Sequence, residues 1–68
     1  MKVVNRIEST DKENKDGVMI IESSPTGRYR EVLVGIKIPT PEPDKFDYME
    51  MTVSGEDVIK AVTNAMNR

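Results

Sequence analysis

Residues 30–38 read Arg-Glu-Val-Leu-Val-Gly-Ile-Lys-Ile (REVLVGIKI), and the alternation in this stretch decides the fold class. Val32, Val34, Ile36 and Ile38 recur at period two, with Glu31, Leu33, Gly35 and Lys37 between them. Successive side chains of a strand point to opposite faces, so a four-deep β-branched row of this kind is the core face of a sheet.

Upstream, Val18 to Ser23 (VMIIES) is a short apolar run bounded by turn residues, which predicts a strand covered on both faces. Ser24-Pro25-Thr26-Gly27 between the two strands fits a type I turn, with proline at its second position and glycine at its fourth. Lys2 to Glu8 supplies another strand, Val3 and Ile7 on one face and Val4 and Arg6 on the other. The polar stretch Ser9–Gly17 links it to the next strand and ends in Asp16-Gly17, a turn pair expected to supply a positive φ.

Downstream, Pro39, Pro41 and Pro43 stand at alternate positions. That spacing misses the P-x-x-P pattern of polyproline ligands. Each proline instead holds the residue before it in extended geometry and donates no ladder hydrogen bond. The tract therefore reads as a stiff connector that ends one strand and leads to the next. Phe46 to Val53 (FDYMEMTV) is that strand, with Asp47, Met49, Met51 and Val53 on one side and Phe46, Tyr48, Glu50 and Thr52 on the other.

Ser54-Gly55-Glu56-Asp57 then opens a helix: serine caps the free amides, and both acids suit the positive end of the helix dipole. The helix is expected from about Gly55 to Asn67, with Val58, Ile59, Val62, Ala65 and Met66 on one stripe. So short a helix is marginal in water by itself, so the stripe is expected to be buried, most simply against the Val32/Val34/Ile36/Ile38 row. The fold class is α+β: a four-stranded antiparallel meander followed by one C-terminal helix packed on one face (ββββα), forming a single small domain over residues 1–68.

Composition excludes more than it supports. With 68 residues and 37% hydrophobic content, the chain has little material for a core, and small domains of this size lean on a disulfide, a metal or a partner. There is no cysteine and no histidine, which removes thiol chemistry, the commonest general base and the commonest metal ligand. Association is the staple that remains. The net charge of −2 does not mark a nucleic-acid binder, and no apolar run approaches the roughly 20 residues that span a bilayer. The first residues lack the apolar stretch of a secretory signal, so a cytoplasmic protein is expected.

The loop from Asp11 to Gly17 superficially suggests calcium. In an EF-hand register beginning at Asp11, however, position five is Lys15 and position six is Asp16, so the ligand pattern fails. No cofactor and no metal are expected. Paired acids without a nucleophile–base partner, on a sheet too small for a deep cleft, argue against an enzyme. Six acids against one base between residues 42 and 57 form an acidic segment that could steer a basic partner.

The leading expectation is a non-enzymatic protein-interaction module. It would be a homodimer, or a regulator or inhibitor docking on a larger protein through a sheet face or edge, of the kind found among phage and mobile-element accessory proteins by analogy of size and class alone. Met49 and Met51 share a face with Val53, and flexible methionines suit adaptable protein contacts. With Leu33 and Met19 they would form a second apolar surface if the helix covers the opposite face; if they share the helix-covered core instead, Phe46 and Tyr48 are left exposed. The partner-binding set is accordingly Phe46, Tyr48, Met49, Met51 and Leu33. The alternative is a nucleic-acid-binding accessory protein, in which Arg28 and Arg30 flank Tyr29 at a hairpin end and contact phosphate and base. An assembly subunit forming a closed ring is a third possibility.

Overall fold

A computed structural model describes residues 2–67. Its elements run β1 (Val4–Glu8), β2 (Val18–Ser23), β3 (Glu31–Pro39), β4 (Phe46–Ser54) and α1 (Gly55–Met66), with a 3-10 turn at Lys12–Asn14. The four strands form one antiparallel sheet in the order β1-β2-β3-β4, followed by the single helix. The ββββα architecture is the one the alternation and the helix cap announce.

Each connection is made by local chemistry. Between β1 and β2, the Asp11 carboxylate accepts from the Glu13 amide at 2.9 Å and from Asn14 Nδ2 at 2.9 Å, capping the 3-10 turn. These bonds, that of Asn14 first, hold the Asp11 carboxyl below its ordinary value. Gly17 departs from expectation, because its φ is not positive. Its role is spatial: a Cβ there would meet the Asn14 carbonyl oxygen at 3.0 Å, and the Gly17 amide donates to that oxygen at 2.7 Å.

Between β2 and β3, the Gly27 amide reaches the Ser24 carbonyl at 3.4 Å, the expected turn, and a second turn closes from Glu31 to Arg28 at 3.3 Å. Gly27 (φ 73°) and Arg30 (φ 60°) take the left-handed conformation here. Between β3 and β4, the Thr40 amide donates to the Lys45 carbonyl and the Lys45 amide to the Glu42 carbonyl. Within that turn Pro43 sits second and Asp44, at φ 62°, third, the pattern of a type II turn. Pro39 does not stop β3 short. It is the last residue of the strand, opposite Phe46.

The register assigns every strand residue to a face. Val32 faces Val53, Val34 faces Met51 and Ile36 faces Met49, while on the other side Met19 pairs Ile36 and Ile21 pairs Val34. Ile7 stands beside Met19 and Asn5 beside Ile21. One face is thus apolar across all four strands. The opposite face carries Arg6, Glu8, Glu22, Glu31, Lys37 and Glu50 among Val18, Ile20 and Leu33.

The helix does not close over the apolar face. It meets the sheet chiefly at β4, and among the described residues of α1 none is buried. The stripe expected against Val32/Val34/Ile36/Ile38 stays open, with Ile59 at 65% and Met66 at 73% exposure. The physical reason lies at the junction. β4 ends at Ser54 and α1 begins at Gly55, so no connecting residue is available to turn the chain back across its own sheet. Strand β2, expected to be covered on both faces, accordingly leaves Met19 open on the apolar side.

Val18 is the one buried hydrophobic side chain among the described residues. The radius of gyration is 13.6 Å, against about 11 Å for a compact chain of this length.

Candidate interaction surface

The apolar face is built from Ile7 on β1, Met19 and Ile21 on β2, Val32, Val34, Ile36 and Ile38 on β3, and Met49, Met51 and Val53 on β4. Met49 is 77% and Met51 64% exposed. Between β3 and β4 the side chains of Val34, Ile36, Ile38, Met49 and Met51 enclose an open trough of about 340 Å³. Polar groups are confined to Asn5, Ser23 and Asp47, and Asp47 at one end is the single formal charge among the described residues of this face.

The five partner-binding residues proposed from sequence fall on two faces. Met49 and Met51 lie in the apolar face with Met19. Leu33, Phe46 and Tyr48 lie on the opposite one, so Leu33 does not join the methionines. There, the Tyr48 ring covers Gly35, where a Cβ would come within 2.5 Å of the hydroxyl oxygen. That hydroxyl donates to Glu50 Oε2 at 2.7 Å, which raises the Tyr48 pKa above its ordinary value. The Lys37 ammonium sits 3.9 Å from the Phe46 ring centroid, a cation–π contact. Phe46 and Tyr48 thus have intramolecular partners, whereas Met49 and Met51 face solvent.

The Arg28-Tyr29-Arg30 segment lies at the β2–β3 hairpin end with Tyr29 at 87% exposure. Both guanidiniums already face carboxylates: Arg30 Nε is 2.6 Å from Glu56, and Arg28 is 3.9 Å from Glu31. Arg30 also stacks at 5.6 Å over its neighbour Tyr29. The Glu31 carboxylate accepts from the hydroxyls of Thr26 at 2.7 Å and Ser24 at 2.8 Å, and these bonds, with Arg28, hold its pKa below the ordinary glutamate value. The hairpin end is an ion-paired, hydrogen-bonded loop in which both arginine side chains remain largely open to solvent.

Sequence reasoning missed the apolar stripe of α1 as a surface in its own right, and missed Ile7 and Ile21 as members of the sheet surface. A signal for the former was present, since the run Val53-Ser54-Gly55 passes from strand to helix cap with no residue to spare. Among the described residues, no three Asp, Glu, His or Cys side chains gather as metal ligands would, and no helix is long and apolar enough to cross a membrane. No protein-family model matches the chain, and no curated protein or solved structure matches it.

Proposed function

We propose that this protein is a non-enzymatic, cytoplasmic interaction module that works by self-association through the apolar face of its sheet. The observation that carries the reading is exposed area. The chain presents 5978 Å² to solvent at a mass of 7.7 kDa. A folded monomer of that mass is expected to expose about 4,300 Å², so roughly 1,600 Å² is in excess. A stable interface covers about 800 Å² per partner, and the excess is about twice that. The exposed residues include a contiguous set of aliphatic and methionine side chains, among them Met19, Ile36, Ile38, Met49 and Met51, and large contiguous apolar patches mark interaction surfaces.

Light scattering coupled to size exclusion, run from micromolar to near-millimolar chain concentration, tests the reading. A mass twice the 7.7 kDa of the chain is expected. A monomer across the whole range overturns it.

A further inference from the structure

Two apolar surfaces are open on each chain, and the backbone keeps them apart. Ser54 is at once the last residue of β4, opposite Glu31, and the cap of α1, its hydroxyl accepting from the Asp57 amide at 3.3 Å. The next residue is pinned as well. The Gly55 amide donates to the Arg30 carbonyl at 2.8 Å, and a Cβ at Gly55 would stand 2.9 Å from that oxygen. Glu56 adds its 2.6 Å ion pair with Arg30. Strand-to-helix connections within one layer pair ordinarily use about 2–6 residues, and this one uses none. The helix is therefore directed by the strand it continues, and its stripe of Ile59, Val62 and Met66 is held away from the trough of its own sheet.

The two surfaces nevertheless match. From Ile59 to Met66 the stripe spans about 10 Å at a rise of 1.5 Å per residue. The β3 side of the trough, from Val34 to Ile38, spans about 13 Å at roughly 3.3 Å per residue. The stripe carries no charge, and the sheet face carries only Asp47 at its margin. An element that fits its own sheet but lacks the linker to reach it is exchanged between copies at low cost, and a two-fold arrangement closes both surfaces at once.

We infer that the partner of the sheet face is helix α1 of a second copy: each chain lays Ile59, Val62 and Met66 into the Val34/Ile36/Ile38/Met49/Met51 trough of the other. This rests on the self-association proposed above and specifies its geometry.

The chain has no cysteine, so introduced thiols report without background. One sample of protein carries Met49→Cys and another Val62→Cys. The two are mixed in denaturant, refolded together and treated with a short bismaleimide, and products are identified by mass spectrometry. The inference expects a covalent heterodimer joining the sheet position of one chain to the helix position of the other, and a covalent dimer as the main product of the double variant. Products joining position 49 only to position 49 indicate sheet-on-sheet packing, which overturns the exchange and leaves self-association standing. Closure of the double variant within one chain also overturns the exchange. A monomeric mass for the unmodified protein overturns both.

A second variant reads the hinge directly. Inserting Gly-Ser-Gly-Ser between Val53 and Ser54 keeps the helix cap and lets α1 fold back on its own sheet. Association is expected to weaken at least about tenfold with helicity retained, because local closure competes at the high effective concentration of a short linker. Unchanged association overturns the exchange.

Discussion

Replacing Met49 with lysine separates a surface that works from one that is merely exposed. Met49 is 77% exposed in the single chain, so Met49→Lys removes little from the isolated fold, and exposed substitutions change stability by about 0.5 kcal/mol or less. On association the balance differs. Full burial of a methionine side chain contributes about 1.5–3 kcal/mol, and with about three-quarters of it still open the gain left for a partner is roughly 1.2–2.3 kcal/mol. A two-fold interface counts the site twice, giving roughly 2.4–4.6 kcal/mol, and each 1.4 kcal/mol is tenfold in affinity. Met49→Lys should therefore raise the dimer dissociation constant roughly 50- to 2,000-fold, before any cost of burying the ammonium. Sedimentation velocity over a concentration series measures this, with circular dichroism confirming that the strands and helix remain. Thr52→Lys is the control, on the same strand but facing the opposite side. An unchanged dissociation constant in Met49→Lys, or an equal loss in Thr52→Lys, refutes the assignment of the interface to this face.

Three further outcomes follow from local geometry, each measured at fixed chain concentration because association contributes to apparent stability. Ser54→Ala removes the acceptor for the Asp57 amide and should cost about 1 kcal/mol, read as lower helicity and an earlier thermal transition; an unchanged transition would show the cap to be idle. Gly35→Ala places a Cβ where the Tyr48 hydroxyl lies and should cost about 1–3 kcal/mol by displacing that ring, and the penalty should vanish when Tyr48 is already serine. A penalty that persists in the double variant would locate the strain elsewhere. Glu31 has a depressed pKa in the folded state, so its contribution is complete above the ordinary value of about 4.3 and is lost as the pH falls through the folded value. Titration of its carboxyl carbon by NMR should give a midpoint below that value, with the Thr26 and Arg28 amides losing protection over the same range; a midpoint at or above it contradicts the hydrogen-bonded loop.

The strands were legible because β3 and β4 alternate at period two and β2 is a short apolar run bounded by turn chemistry, and the helix because Ser54, Glu56 and Asp57 stand where a cap requires them. What parity could not reach was the pairing between strands. It places Met49 and Met51 opposite Phe46 and Tyr48 on β4, but only the register, Val34 against Met51 and Ile36 against Met49, puts the methionines in the same face as the β3 row. That register depends on the turn from Thr40 to Lys45, whose positive φ at Asp44 no propensity requires. Gly17 shows the limit from the other side. An Asp-Gly pair favours positive φ, but here the φ is not positive and the glycine instead eases the close approach of the Asn14 carbonyl. The burial of the helix was misjudged because amphipathicity states that a stripe must be covered and is silent about which chain covers it.

The same silence explains why the trough reads as a protein surface and not as a small-molecule site. Ligand pockets orient their occupants with a few convergent polar groups set in an enclosed apolar wall. Here Asn5 on β1 and Ser23 on β2 lie outside the trough between β3 and β4, and Asn5 is already turned toward the Ile21 carbonyl. The remaining polar group, Asp47, sits at one end of the trough, and its floor is the flat alternation of two neighbouring strands. Such a floor orients nothing by hydrogen bonding. On the reading proposed above it would select by shape and apolar area, for which a helix stripe is the complementary shape. With one buried hydrophobic side chain among its described residues, the chain has little burial of its own to set against the entropy of ordering its backbone. In the proposed dimer, burial supplied by a second copy would add to this, so the surface that recognises the partner would also extend the core.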